Sequence, residues 1–207
     1  SAQDLGQYKR LGTTIDDAIG EAYDTTAKLL GIECRGGSHI EVLAKKGDPN
    51  KYNLPKPIFN KGGCNLSFAG LKTAILKIAK KIKTDQEKFD LAASFQKTVI
   101  EILNKKTRIA FAEFEKQTNP KEKKFVVAGG VAANKDIRNM LVNLCKEENY
   151  EPIFPPIELC GDNAAMIAIV GLEKYKLKQF SNLDHPAKPR WSLDQNASFL
   201  KGAGVQL

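Results

Sequence analysis

The chain alternates between segments with helical spacing of apolar residues and short apolar runs that end in glycine. The longest helical pattern covers residues 87–116, where four apolar residues recur on one face at steps of four, four and three: Leu91, Phe95, Val99 and Ile102. Comparable spacing predicts further helices over residues 16–30, 38–46, 71–82, 134–147 and 163–175.

Short apolar runs predict strands between these helices. Residues 125–128 (FVVA) have the composition of a buried parallel strand, and residues 65–68 and 153–154 predict two shorter strands. Because strands, glycine turns and helices follow one another repeatedly, the pattern predicts an α/β fold with a parallel or mixed sheet, in which helices outweigh strands. The sequence after residue 184 is polar and irregular, with Trp191 as its candidate anchor.

Length, composition and charge limit the class of protein. The 207 residues, 42% of them hydrophobic, suffice for one large domain or two small ones. No apolar run is long enough to span a bilayer and residues 1–10 lack the features of a secretory signal, so we expect a cytoplasmic protein with no membrane partner. The net charge of +8 favours an anionic partner such as nucleic acid. The lysines are scattered, however, and such faces are more often simply solvated.

The sequence lacks the common metal, redox and phosphate-loop motifs. No two of its four cysteines form a CxxC pair, which argues against a zinc ribbon or redox dithiol and favours inert thiols. His39 and His185 have no histidine or cysteine nearby at ligand spacing. Residues 67–73 (SFAGLKT) do not have the GxxxxGK[ST] spacing of a phosphate loop.

Paired glycines between a strand and a helix form the sharpest local feature. Gly129 and Gly130 follow the apolar run, and Asn134 begins the next helix. Glycines there let backbone N–H groups approach a ligand, and the positive end of the helix dipole favours an anion or a polarised ribose or base. From spacing alone, a tight turn with Asn134 as a plain N-cap is the more common structure.

Two acidic features can likewise be read either as helix-stabilising groups or as functional groups. Asp162 directly precedes the last helix, where it either caps that helix or presents its carboxylate to a cation, and the cap is the more common role. The helix over residues 16–30 begins with acids that complement its dipole. Asp24 lies beyond the first turn and has less structural reason to be acidic.

Seven blocks together, in this order, resemble the TsaD/Gcp family of tRNA threonylcarbamoyltransferases. They are LGTTIDDAIGEAYDTTAKLLGI, RGGSHIE, LSFAGLKTA, LAASFQKTVIEIL, FVVAGGVAANKDIR, CGDNAAMIAIVGL and AKPRW. The resemblance implies an actin-like ATPase fold (ribonuclease H-like) with a nucleotide cleft between two lobes. It assigns residues 1–195 to an incomplete, helix-rich second lobe and residues 196–207 to a polar tail, with the N-terminal lobe absent.

The resemblance also implies a reaction and its site. The family transfers a threonylcarbamoyl group from threonylcarbamoyl-adenylate, an ATP-type nucleotide, to N6 of the adenosine beside the anticodon in tRNAs that read codons beginning with A. By position, the nucleotide contacts are Asp24, Gly37, Glu41, Gly129, Gly130 and Asn134. Asp162 corresponds to the protein carboxylate on a divalent metal, Fe²⁺ or Zn²⁺, which acts as a Lewis acid.

This sequence departs from the family in lacking its HxxxH metal-ligand pair and its SGGH loop. We therefore expect the chain to be inactive alone and to need the missing N-terminal lobe, with tRNA, a TsaB-like paralogue and a TsaE-like ATPase as further partners. Missing strands would also leave apolar sheet surface uncovered. The alternative is a non-catalytic interaction or dimerisation module, like the family's inactive paralogue. A protease, as the family's old name suggests, has no nucleophile and base set in this sequence.

Overall fold

A computed structural model describes residues 1–32, 36–184, 186–187 and 192–197. The predictions for Trp191, for His185 and for most of the tail from residue 196 onward therefore lie outside the described residues. Within the described part, helices dominate over short strands, and none of the helices is long and apolar enough to cross a bilayer.

One long helix, α4 (Asp85–Thr118), forms the centre of the fold. It begins with a capping box in which Thr84 accepts a hydrogen bond from the Glu87 amide and Glu87 accepts one in return. It ends at Asn119, whose left-handed backbone (φ 43°) stops the helix. The stripe of apolar residues predicted from the sequence is fully buried, which makes α4 the scaffold for the other helices.

Three shorter helices pack on one another and on this scaffold: α1 (Ile19–Leu29), α2 (Gly37–Ala44) and α3 (Ala69–Ala79). α2 lies along α4, and α1 contacts both α2 and α3. The loop after α2 approaches α4 so closely at Gly47 that a Cβ there would lie 2.1 Å from the Phe89 carbonyl oxygen. A side chain at residue 47 would therefore displace the loop from α4.

The α/β part of the fold follows α4. Strand β3 (Lys124–Val126) pairs in parallel with β4 (Glu151–Ile153), and α5 (Lys135–Glu147) connects them. The N-terminal segment forms a separate antiparallel hairpin of β1 (Ala2–Asp4) and β2 (Gln7–Tyr8). The described residues thus contain two two-stranded sheets, and the β3–β4 pair is parallel, as the α/β pattern of the sequence predicts.

The last helix, α6 (Ala164–Lys176), packs least of all. None of its residues is buried, although Ile167, Ile169 and Leu172 are apolar. A helix with apolar residues on several faces normally lies inside a protein. The exposed apolar surface of α6 lies on a helix, whereas the sequence predicted such surface on the sheet, so that prediction is not tested by α6.

The structure differs from the sequence interpretation at residues 65–68 and at Asp162, and it adds a 3-10 helix that the sequence analysis did not predict. Residues 65–68 form a single β-bridge between Leu66 and Thr14 and no strand, because the amides of Phe68 and Ala69 bond to the Asp16 carboxylate and begin α3. The residues after Gly129 form a 3-10 helix, Gly130–Ala133, before α5 begins. The cap of α6 is Asn163, whose side chain accepts from the Met166 amide, so the capping role considered for Asp162 is excluded.

Candidate functional site

The main candidate site is a cavity of about 400 Å³ where three elements meet. Helix α1 forms one wall, the first turns of α2 form the second, and the 3-10 helix with the start of α5 forms the third. The lining residues are Gly20, Tyr23, Asp24, Gly37, Ser38, Glu41, Gly130, Val131, Ala133 and Asn134.

Five of the six residues that the resemblance assigns to nucleotide binding line this one cavity: Asp24, Gly37, Glu41, Gly130 and Asn134. Gly129 adjoins the cavity and is exposed. Its φ of 88° and ψ of 168° lie in a region that residues with a Cβ avoid. Gly129 therefore turns the chain from β3 into the 3-10 helix, and Gly130 forms the wall.

The side chain of Asn134 is buried and caps α5. Its Oδ1 accepts hydrogen bonds from the amides of Asp136 (3.1 Å) and Ile137 (3.0 Å). Its Nδ2 donates to Oε1 of Gln96 on α4 at 3.0 Å. The capping interpretation of Asn134 is therefore confirmed, and the second N–H of its amide has no hydrogen-bond partner among the described residues.

Gln96 on α4 does not line the cavity but hydrogen-bonds to residues of two of its walls. Its Oε1 accepts hydrogen bonds from Asn134 and from the hydroxyl of Tyr23 (3.5 Å), and its Nε2 donates to the Asp136 carboxylate. Burial, followed by the charges of Asp136 and Glu41, raises the pKa of Tyr23, so its hydroxyl stays protonated and donates. The network fixes the amide orientations of both Asn134 and Gln96.

Glu41 links α2 to α5 at the opposite side of the cavity. One carboxylate oxygen accepts a hydrogen bond from the Lys135 amide at 3.2 Å, and the other lies 3.3 Å from the Lys45 ammonium. With Asn134, it satisfies the first three amides of α5. The positive end of that helix is thus occupied by protein groups, which leaves little capacity there for an added anion.

The N-terminus of α2 has the opposite character. Its first two amides, those of Gly37 and Ser38, have no intrahelical partner, and its N-cap Gly36 has no side chain to supply one. Gly37 packs against Tyr23, where an added Cβ would lie 3.7 Å from the tyrosine Cβ. Across the cavity, the half-buried Asp24 carboxylate has no hydrogen-bond partner among the residues that the structure describes. As far as the described residues show, the cavity thus offers unpaired donors on α2 and an unpaired acceptor on α1.

Asp162 lies outside the cavity. Its side chain is exposed, and the described residues contain no group of three histidine, cysteine, aspartate or glutamate side chains that could hold a metal ion. Zinc and iron sites need three or four protein ligands. The described residues therefore do not fit a complete metal site.

Arg138 nevertheless connects the segment before Asp162 to the cavity wall. Its guanidinium donates to the carbonyl oxygens of Ala132 (3.2 Å) and Pro155 (3.4 Å), and it lies 3.8 Å from the sulfur of Cys160. Arg138 thus links the two strand-to-helix junctions, but Asn134 lines the cavity and Asp162 does not.

Sequence reasoning missed Tyr23, Ser38 and Gln96. Tyr23 and Ser38 stand within the blocks GEAYD and RGGSHIE, beside residues that were selected. Gln96 was detectable as a polar residue beside the apolar stripe of α4, one position after Phe95. A buried amide needs partners, so such a residue predicts a hydrogen-bond network.

Comparison with known proteins identifies relatives of one kind. The family described as "TsaD: tRNA N6-adenosine threonylcarbamoyltransferase" matches residues 1–169. A protein of that name from Pelagibacter ubique is 76% identical over the full chain, which covers 58% of that protein. Namesakes from Rickettsia rickettsii and Rickettsia bellii are 52% and 49% identical over 92% of the chain, which covers 56% and 57% of their lengths. The chain thus spans a little more than half of these relatives, and it belongs to the TsaD family of tRNA N6-adenosine threonylcarbamoyltransferases.

Proposed function

We propose that the chain forms part of an enzyme that transfers a threonylcarbamoyl group to adenosine in tRNA, and that the cavity holds the nucleotide part of threonylcarbamoyl-adenylate. One observation carries the proposal: Asp24, Gly37, Glu41, Gly130 and Asn134 are dispersed in sequence and line the same cavity. The actin-like fold of residues 1–195, as one lobe of a two-lobed protein, is part of the same proposal.

The polarity of the walls suggests how the nucleotide lies. Carboxylates accept hydrogen bonds from ribose hydroxyls, as acidic residues do in other nucleotide-binding folds. The free carboxylate of Asp24 suits that role, and Glu41 retains lone pairs for it. The unpaired amides of Gly37 and Ser38, at the positive end of α2, suit a phosphate oxygen. The second N–H of the Asn134 side-chain amide is left to donate to a polar atom of the ligand.

The family implies a divalent metal, Fe²⁺ or Zn²⁺, which when bound would supply Lewis-acid chemistry. We propose that Asp162 contributes one of its ligands and that the others come from the part of the protein that this chain does not cover. Its exposed position leaves the carboxylate accessible to such a partner.

The proposed partners follow from the same assignment. tRNA is polyanionic, and the net charge of +8 favours its approach through long-range attraction. The remaining part of a TsaD-type chain, a TsaB-like paralogue and a TsaE-like ATPase are proposed as protein partners, in the cytoplasm. The chain alone is proposed to be inactive, because the described residues hold no complete metal site.

Reconstitution with the uncovered part of the Pelagibacter relative tests the function. Co-expression of the two should yield a complex that transfers threonylcarbamoyl from its adenylate to tRNA. In that complex Asp24→Asn and Glu41→Gln should each lower adenylate affinity about tenfold or more, since each weakens a charge-assisted hydrogen bond. Asp184→Asn and Glu158→Gln make the same changes at exposed positions outside the cavity and serve as matched controls.

The outcome separates the transferase from a non-catalytic module. A stable complex that transfers nothing to tRNA, and whose adenylate affinity is unaffected by Asp24→Asn, would reject the enzyme and favour the dimerisation role. The exposed apolar residues of α6 suit such a role as well as they suit a missing lobe, so activity decides between the two.

A further inference from the structure

We infer that four lysines at the end of α3 form a docking surface for the phosphate backbone of tRNA. These residues, which we call the α3 lysine cluster, are Lys77, Lys80, Lys81 and Lys83. The choice of tRNA as the partner rests on the proposed function. The position of the surface rests instead on the exposure and the contacts of the four side chains.

The packing of α3 turns the α3 lysine cluster toward solvent. Leu71 and Ile75 are fully buried, and Ile78 and Ile82 pack against the same core. The lysines occupy other positions of this segment, and all four are exposed. The helical turn continues past the end of α3, because the Lys81 amide donates to the Ile78 carbonyl at 2.8 Å. The four ammonium groups therefore belong to about two consecutive turns of one element.

No carboxylate neutralises the cluster within the described part of the chain. Of the two acids nearest in sequence, Asp85 pairs with Lys88 at 2.8 Å. Glu87 accepts hydrogen bonds from the amides of Lys83 and Thr84 at the start of α4. None of the four ammonium groups has a hydrogen bond or an ion pair to another described residue. The cluster is therefore a local concentration of positive charge that an added polyanion can neutralise.

Lys72, on the same helix, has a different environment. Its ammonium lies 2.7 Å from the Asp17 carboxylate and 3.2 Å from that of Glu21, so it joins α3 to α1, a wall of the cavity. The α3 lysine cluster forms no such link between elements. Because α3 packs on α1, a polyanion bound at the cluster would be held by a helix that supports the cavity wall.

The chemistry of the cluster fits a phosphate backbone better than other anionic partners. Lysine is a compact charge without the fixed fork of arginine, which suits phosphate contacts that do not depend on base sequence. An anionic membrane would need a free apolar helix face beside the lysines, but the apolar face of α3 is buried. Lysine is also depleted in protein–protein interfaces. A nucleic-acid backbone, with its regular phosphate charges, needs neither an apolar face nor a packed interface.

Binding of tRNA to the complete 207-residue chain, measured at several salt concentrations, tests the inference. The cluster variant combines four substitutions, Lys77→Gln, Lys80→Gln, Lys81→Gln and Lys83→Gln. Each phosphate contact contributes about 0.7–0.9 to the slope of log affinity against log salt concentration. We therefore expect the variant to bind tRNA at least about tenfold more weakly at about 0.1 M salt, with a slope shallower by about 3.

A control variant removes the same charge elsewhere. α4 is about 50 Å long, and exposed lysines stand at its far end, on α5 and after α6. None of them forms an ion pair with another described residue. The control combines Lys116→Gln, Lys121→Gln, Lys146→Gln and Lys178→Gln. Because its net charge equals that of the cluster variant, we expect its affinity for tRNA to fall by about threefold at most, with a slope changed by less than about 1.

A third variant replaces the four cluster lysines by arginine. It keeps the positive charge and should bind tRNA at least as tightly as the wild type. Unchanged near-ultraviolet circular dichroism in all three variants shows that the fold survives. Loss of tRNA binding by a folded arginine variant would contradict a contact based on charge.

Equal losses in the cluster and control variants would overturn the inference, since net charge alone would then account for binding. Absence of tRNA binding by the wild-type chain would overturn it as well. Vesicles of phosphatidylserine and phosphatidylcholine provide a competing partner. If the cluster variant loses vesicle binding and keeps its affinity for tRNA, the cluster is a membrane contact and the inference is rejected.

Failure of this inference is distinguishable from failure of the proposed transferase. The binding measurement needs neither the adenylate nor the part of the protein that this chain does not cover. In the reconstituted complex, normal transfer by the cluster variant with an unchanged KM for tRNA would reject the docking surface and leave the transferase intact. A complex that transfers nothing, although the chain binds tRNA through the cluster, would reject the transferase and leave the docking surface intact.

Discussion

Nδ2 of Asn134 donates a hydrogen bond to Oε1 of Gln96 across 3.0 Å, which joins the start of α5 to the middle of α4. Gln96 is 3% exposed, so the bond forms away from water. Gln96 also accepts a hydrogen bond from Tyr23 on α1 and donates one to Asp136 on α5. Its hydrogen bonds therefore set the position of two cavity walls, α1 and the start of α5. The shape of the candidate site therefore depends on a residue that does not line it.

We expect Asn134→Asp and Asn134→Ala to separate the two roles of this side chain. The substitution by aspartate keeps an acceptor for the α5 amides but loses the donor to Gln96, and it places a carboxylate near Asp136 and Glu41. Asn134→Ala also loses the cap. Each should lower the free energy of unfolding by about 1–3 kcal/mol in urea titrations.

Asn163→Ala is the matched control, because Asn163 caps α6, a helix with no buried residue. Asn163→Ala should lower the free energy of unfolding by less than either substitution at residue 134. An equal loss of unfolding free energy at both caps would show that the hydrogen bond from Asn134 to Gln96 adds nothing measurable to stability.

Arg138→Lys should loosen the segment that leads to Asp162. The planar guanidinium contacts two carbonyl oxygens and lies 4.5 Å from the Phe154 ring centre, and an ammonium cannot reproduce that set of contacts. We expect Cys160, which is 4% exposed, to react several-fold faster with a thiol reagent in the variant, as measured by mass spectrometry of each cysteine.

Cys145 is fully buried on α5 and provides the internal reference in the same sample. Parallel acceleration at Cys145 and Cys160 would indicate general destabilisation, and the specific role of Arg138 in holding the segment would be rejected.

Asp16 should make stability depend on pH in the acid range. Burial opposes its ionisation, yet hydrogen bonds from the Ser67 hydroxyl and from the amides of Phe68, Asp17 and Ala69 lower the pKa of its carboxyl below the ordinary 3.8. Because the pKa of Asp16 is lower in the folded state than in the unfolded state, its ionised carboxylate stabilises the fold, and this contribution is complete at pH values above the unfolded-state pKa. That contribution is lost as pH falls through the lower, folded value.

The free-energy difference between the wild type and Asp16→Asn should therefore be constant above about pH 5 and shrink as pH falls below 3.8. Urea titrations over this range measure it. A difference that is flat down to the lowest pH would contradict the assignment.

The isolated chain should bind Zn²⁺ weakly, in the range of a single exposed carboxylate, because the described residues gather no further ligands around Asp162. Calorimetry of the chain and of Asp162→Asn should give the same weak heats. Tight binding that Asp162→Asn removes would show that the chain carries a metal site of its own.

The sequence predicted most helices because helical periodicity and capping are local. The apolar stripe of α4 and the cap at Asn134 are both present as expected. Prediction failed at residues 65–68, where a β-prone run meets the Asp16 carboxylate from 51 or more residues away. That carboxylate fixes the amides of Phe68 and Ala69 and starts a helix, and no local pattern contains this information.

The sequence by itself determined the family and the order of the helices, because both are written in contiguous blocks, and it selected five of the residues that line the cavity. Only the tertiary structure decided how those residues are used. Glu41 and Lys135 meet across 94 positions, and Tyr23 and Gln96 across 73. Since a side chain in the interior must satisfy its hydrogen bonds with whatever the fold brings near, its partners are set by packing and not by its neighbours in the chain.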